Sequence, residues 1–348
     1  MRILFAGSPA IALPSFTMIA DGARYPGRWV LAGVLTNPDK RKGRGGLKLE
    51  SRLSSKEEAT DIGKEAARVA EQFTARGFPV PLILKPETLK TGAREAVAAL
   101  KPDLLVSFAY GRIFGPRFME LFPLGGINVH PSLLPRYRGP SPIQEAILRR
   151  DAETGITVQR IAAEMDTGNI LACEKIPLNG RETTASLSET AARLGAKVLQ
   201  TVLEDFLTAF RAGGPVPGGL TQEGAATYCT LIDKDSGLIN WEESAEEIDA
   251  QIRAYNPWPL ARTNHRGQIL IILEAAPYPG SPDGGASGLP AGSPGDVLGI
   301  DKKSGILVQT GKGVLAVSLL QYQTKKMLPW QAFLNGARDF IGSNLGGS

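Results

Sequence analysis

Short apolar runs alternate with helix-spaced segments along the first part of the chain, and this alternation restricts the fold more than any other feature. Residues 2–6 (RILFA) and 30–36 (VLAGVLT) read as buried strands, and Ala10 to Asp21 between them carries apolar residues at helical spacing. Residues 103–109 (DLLVSFA) and 125–130 (GGINVH) supply two more strands, preceded by an amphipathic helix over 89–100. Repeated strand, helix and strand predict a doubly wound parallel sheet covered on both faces. A helix over 140–150 opens with prolines suited to a first turn, and a longer one over 184–211 stops before Gly213-Gly214.

The texture then changes. GGPVPGG at 213–219 reads as a linker, after which 269–275, 295–300, 305–310 and 313–320 are short strands separated by turns, as in a small β-barrel. A chain of 348 residues exceeds the usual single domain of roughly 100 to 200 residues. We therefore expect an α/β, Rossmann-like catalytic domain over 1–212, a linker over 213–230 and an OB-like barrel domain over 231–348. Residues 39–76 are charged and partly helical, whereas 279–295 (PGSPDGGASGLPAGSPG) are too rich in Gly, Pro and Ser for a packed element.

Composition, at 43% apolar and 21% charged, is that of a water-soluble globular protein, and no apolar run approaches the roughly 18 residues of a membrane span. MRILFAGSP has no signal-peptide pattern, so a cytoplasmic or matrix-like location is expected. Cys173 and Cys229 are far apart and outside any CxxC or Cys/His cluster, so we expect buried, unremarked thiols and no zinc site. A net charge of +4 is compatible with a nucleic-acid partner without requiring one.

Only two histidines occur, His130 and His265. His130 ends an apolar strand, and Asn128, two residues earlier, shares its face; in open parallel sheets ligands bind beyond such strand ends. Asp166, in EMDTGNI, lies on a Gly-flanked loop able to fold back to the same crevice. An amide, an imidazole and a carboxylate without a nucleophile suit direct transfer of an acyl group between two bound substrates. Asp166 alone would be a turn-forming residue, and a single strand-end His is more often structural. The prolines and glycine of PSLLPRYRGPSP stiffen the loop that follows.

The run INVHPSLLPRYRG, then SPIQEAI, then GITVQRIAAEMDTGNIL, resembles the folate-dependent formyltransferases, whose acceptors include glycinamide ribonucleotide, sugar nucleotides and methionyl-tRNA. The resemblance implies an active site of Asn128, His130 and Asp166, 10-formyltetrahydrofolate as donor, and no metal. It places the folate against Phe108, Ala109, Tyr110, Gly111, Arg112 and Ile113, and against Ser132, Leu133, Leu134 and Pro135. Without it, Phe108 and Tyr110 read as plain core.

Three further stretches, TNPDKRKGRGGLK at 36–48, INWEESAEEIDAQIRAYNPWPLART at 239–263 and KKMLPWQAFLNGARDF at 325–340, resemble the members that act on initiator methionyl-tRNA in translation initiation. The resemblance thus runs from Met1 to about Phe340. Lys40, Arg41, Lys42, Arg44 and Lys48, with Lys325 and Lys326, are the expected RNA contacts, and a monomer is expected. Two departures stand out: Pro140-Ser141-Pro142 replaces the family's Ala-Ala-Pro, and residues 50–76 are longer and more charged than the family segment. The competing readings are a sugar-nucleotide N-formyltransferase with the same donor, and an RNA-binding protein on an inactive scaffold. A nucleotide-binding Rossmann protein fits less well, because GSP at 7–9 is no GxGxxG fingerprint.

Overall fold

The computed structural model describes residues 1–38, 62–279 and 292–346. Its N-terminal part is built from β1 (Arg2–Gly7), α1 (Leu13–Gly22), β2 (Val30–Leu35), α2 (Ile62–Arg76), β3 (Leu82–Leu84), α3 (Thr91–Ala99) and β4 (Leu104–Phe108). There follow α4 (Pro116–Met119), β5 (Gly126–His130), α5 (Pro142–Leu148), β6 (Glu153–Arg160), β7 (Ile170–Pro177) and the long α6 (Thr184–Arg211). Every residue of β4 is buried, as an apolar strand covered on both faces must be. α6 starts at a reciprocal cap in which Thr183 and Ser186 each accept a backbone N–H of the other, and its 28 residues run the length of one face.

The seven strands lie in the order β3-β2-β1-β4-β5-β6-β7. The first five are parallel, as expected; β6 and β7 extend the sheet antiparallel, so it is mixed. β7 follows β6 through a short loop, which permits only the antiparallel return. Apolar clusters fill both faces: Phe5, Phe16, Phe73, Val129 and Phe206 on one, Leu4, Val97, Leu105, Phe118 and Phe122 on the other. β1 lies between β2 and β4, so the strand order reverses there and leaves a crevice beyond the carboxyl ends of β1, β4 and β5.

The second part comprises α7 (Ala245–Ala254), β8 (Ala261–His265), β9 (Gln268–Pro277), β10 (Val297–Asp301), β11 (Gly305–Gln309), β12 (Val314–Tyr322), β13 (Leu328–Pro329) and α8 (Trp330–Gly336). Its antiparallel ladder runs β10-β11-β12-β9-β8, with β13 on β12. Irregularities at Val317–Leu320 allow β12 to serve β11, β9 and β13 in turn. Ile248, Ile272, Val308, Val317, Phe333 and Phe340 form one core beneath it. No ladder joins β8 to β10 among the described residues, so the expected barrel is present as an antiparallel sheet around a core of its own. Most of the Gly/Pro/Ser-rich 279–295 stretch lies outside the described residues.

The two parts touch beside the crevice. Ala254 and Tyr255, at the end of α7, join the main N-terminal cluster. Thr184 Oγ1 donates to the Ala254 carbonyl at 2.5 Å, and Arg253 Nη1 to the Glu182 carbonyl at 3.1 Å.

Candidate active site

Asn128 and His130 face the same side of β5, opposite Gln159 and Thr157 of β6. His130 is 4% exposed, and its Nε2 lies 2.9 Å from the Tyr137 carbonyl. A carbonyl only accepts, so Nε2 carries a proton and Nδ1 is left facing Asp166, whose Oδ2 is 3.6 Å away. The carboxamide of Asn128 is half-buried and makes no hydrogen bond among the described residues.

Asp166 reaches this position from the loop between β6 and β7, with φ at +56°. Its Oδ2 accepts from the Gly139 backbone N–H and its Oδ1 from Gln159 Nε2, both at 2.9 Å. Two firm donors fix the carboxylate and leave His130 as the group to which it can lend charge. Gly139 can serve only as glycine: φ is +117°, and a Cβ would stand 2.4 Å from the Cys229 carbonyl.

The carbonyl that holds His130 is itself braced. Tyr137 has φ +56°, and its hydroxyl donates to Asp151 Oδ2 at 2.6 Å. Arg136 Nη2 donates to the same carboxylate at 2.7 Å and to the Tyr137 hydroxyl at 3.0 Å. Burial, then the bond to Asp151, pushes the Tyr137 phenol up, so it remains a donor. Ser132 Oγ donates to the Arg136 carbonyl at 2.6 Å, while Thr157 Oγ1 donates to the Ser132 carbonyl at 2.7 Å. The stiffness expected of PSLLPRYRGPSP thus comes from side-chain bonds as well as from proline.

At the end of β4, Ala109 and Gly111 have φ of +51° and +75° and are exposed, while Ile113 is 71% exposed. Phe108 points into the core against α6, and the Tyr110 ring stacks on Phe114 at 5.5 Å in the opposite cluster. What Tyr110 offers the crevice is backbone; its carbonyl accepts from Asn37 Nδ2 at 2.9 Å. Arg112 Nε donates to Asn37 Oδ1 at 2.7 Å. Leu133 and Leu134 are partly and largely buried, ahead of Pro135. Left-handed φ at Ala109, Tyr137 and Asp166 costs roughly 1–3 kcal/mol each, strain of the kind that gathers at functional sites.

Several supporting residues carried no sequence signal. Gln159 is one, Asp151 another, and a third group lies in the segment expected to be a linker. Residues 220–229 are bonded along the site loops: Leu220 pairs with Ile170, Arg138 N donates to the Thr227 carbonyl at 2.9 Å, and Cys229 N to the Arg138 carbonyl at 2.9 Å. Cys229 is buried here, and burial pushes its thiol up; Cys173, expected to be buried too, is exposed on the edge strand β7. Lys325 and Lys326 are exposed between β12 and β13, but Lys40, Arg41, Lys42, Arg44 and Lys48 lie outside the described residues. No cluster of three or more metal-ligating side chains occurs among the described residues, and none of their helices is long and apolar enough to cross a membrane.

Known proteins match nearly the whole of this chain. The chain is 44% identical over 341 residues to a protein of Treponema denticola named methionyl-tRNA formyltransferase, with 98% of each chain covered. A protein of the same name from Roseiflexus sp. is 38% identical, covering 99% of this chain and 95% of that one. Among solved structures, an N-formyltransferase from Helicobacter canadensis superposes with a TM-score of 0.57 at 18% identity, over 91% of this chain and 99% of that one. HypX from Aquifex aeolicus gives 0.55 at 16% identity, over 98% of this chain but 48% of its own longer chain. These two show a shared fold. The family description "Formyl transferase" matches residues 1–203, and "Formyl transferase, C-terminal domain" matches 231–338. With its sequence matched across both parts and Asn128, His130 and Asp166 meeting at one strand end, the chain belongs to the formyl transferase family.

Proposed function

We propose that this chain transfers the formyl group of 10-formyltetrahydrofolate to the α-amino group of methionine on initiator methionyl-tRNA. The observation that carries the reaction is the fixed approach of Asp166 to His130 beside an amide, Asn128, that has no protein partner among the described residues. Relatives named methionyl-tRNA formyltransferase that match the chain end to end support the acceptor. Asn128, His130 and Asp166 all come from one chain, which supports a monomer, and the cytoplasm is where charged initiator tRNA is used.

A flat folate bearing a transferable acyl group would lie in this crevice. A Cβ at Gly111 would meet nothing within 4 Å, and exposed Ile113 and Met165 offer apolar contact from the two flanking loops. When bound, the donor supplies an activated formyl carbon on a folate nitrogen. Asn128 donates a hydrogen bond to the formyl oxygen, where negative charge develops, a role worth on the order of 3 kcal/mol per donor. The acceptor amine attacks in its neutral form, roughly a tenth of the total at pH 7 because an α-amino pKa is about 8. As the new C–N bond forms, the amine gives up one proton. His130 Nδ1 and Asp166 are placed to hold that proton and return it to the folate nitrogen as its bond to the formyl carbon breaks. Lys325 and Lys326, with the basic 40–48 segment, would take RNA phosphates.

Single-turnover formylation by Asp166→Asn and His130→Ala proteins tests the site. Turnover is expected to fall roughly 100-fold or more with the fold retained. A folded variant of either kind with near-normal turnover would remove these residues from the chemistry.

A further inference from the structure

The segment joining the two parts of the chain is bonded into the catalytic machinery through one side chain, Gln222. Its Nε2 donates to the carbonyls of Asp166 and Gly168, each at 2.8 Å, and lies 3.4 Å from Gln159 Oε1. Its Oε1 is gripped by Arg138, Nε at 3.1 Å and Nη2 at 2.7 Å. Arg138 belongs to the loop that also supplies Gly139, the donor to the Asp166 carboxylate.

The Asp166 loop requires such a hold. Its backbone is left-handed at Asp166, where the Cβ of a non-glycine residue crowds the following carbonyl oxygen. Two residues on, a Cβ at Gly168 would stand 1.8 Å from the Arg160 carbonyl, so the loop is pressed against β6 and cannot relax inward. On its outer side the inter-domain segment closes it: Ile170 and Leu220 exchange backbone bonds at 2.7 and 2.8 Å, and Asn169 Nδ2 donates to the Gly218 carbonyl at 3.2 Å. Gln222 alone reaches past that pairing to the Asp166 backbone among the described residues.

We propose that Gln222 is a positioning residue for the formyl transfer reaction. Its amide spans the Asp166 loop and the Arg138–Gly139 loop, fixes the Asp166 carboxylate against His130, and so makes the inter-domain segment part of the active site. The inference rests on the formyl transfer reading given above. Gln222 touches no reacting atom, and its effect runs through Asp166.

The test compares the full-length wild-type protein with Gln222→Ala and Gln222→Glu in formyl transfer from 10-formyltetrahydrofolate, with melting midpoints measured in parallel. Glutamate keeps the acceptor for Arg138 but sets an oxygen against two carbonyls, so it should be no better than alanine. Misplacing a catalytic group by about 1 Å can cost on the order of 100-fold. We expect kcat to fall about 10- to 100-fold in both variants, with KM for either substrate within about twofold and little change in melting. A merely structural role would instead lower the melting midpoint without this selective loss of kcat. Wild-type transfer together with unchanged kcat in Gln222→Ala, or in a folded Gln222→Glu protein should alanine fail to fold, would overturn the proposal. No transfer by the wild type would instead overturn the reading on which it rests.

Discussion

Gly139 shows how tightly single residues specify this site. Its N–H holds the Asp166 carboxylate, its φ is +117°, and any β-carbon would collide with the Cys229 carbonyl. Gly139→Ala is therefore expected to lose about 1–3 kcal/mol of stability through backbone strain and, where folded, to lower turnover as its amide moves off Asp166. Denaturant unfolding with an activity assay on the same sample checks both; a variant as stable and active as the wild type would show that the loop accommodates a side chain. Asn128 and His130 were legible in the sequence because strand parity alone puts them on one face, and Asp166 because a Gly-flanked aspartate invites a turn. Gln159, Asp151 and Gln222 were not, since a single amide or carboxylate carries no periodicity to betray its partner. The resemblance to known formyltransferases supplied the candidate groups; the side chains that support them are visible only where the chain has folded.

At the scale of elements, β1, β2, β4 and β5 were readable because each is a mostly apolar run, and α6 because it is bounded by a Thr/Ser cap and Gly213-Gly214. β6 and β7 were not, because ETGITVQR and ILACEKIP mix charged and polar residues with apolar ones, and β7 forms the exposed edge of the sheet. Residues 220–229 failed for another reason: Gly and Pro at 213–219 mark a break in regular structure, and a segment without regular structure can still be bonded at every turn. The C-terminal sheet carries its own testable chemistry in His265, the last residue of β8. It is 4% exposed, its Nδ1 is 2.7 Å from the Tyr322 hydroxyl, and Phe340 lies edge-on at 4.8 Å. Burial, then the nearby Arg266, lowers its pKa below 6.5. The unfolded chain therefore binds the proton more readily, and the domain should lose stability as pH falls below the unfolded value of 6.5, the loss levelling off once pH passes the folded pKa. His265→Phe, which keeps an aromatic ring beside Phe340, should shrink the drop in melting midpoint between pH 7.5 and pH 5 by removing this group's share. An unchanged drop would mean that other groups govern the acid response.

Over the whole molecule, the two parts are joined at the edge of the reaction site. α7 packs its end into the main core, the inter-domain segment binds the Asp166 loop, and the exposed lysines at 325 and 326 lie on the second domain. A small acceptor needs only the crevice; a long, charged acceptor would make use of the second domain and of the basic 40–48 segment proposed to bind it. Acceptor identity is therefore the property that most sets this chain's role. The most direct measurement follows label from 10-formyltetrahydrofolate into charged initiator methionyl-tRNA, beside uncharged initiator tRNA, charged elongator methionyl-tRNA and an amino-sugar nucleotide. Label is expected on the charged initiator in clear preference to the other three, and label on the sugar nucleotide instead, or on none of the four, would rule out methionyl-tRNA as the acceptor.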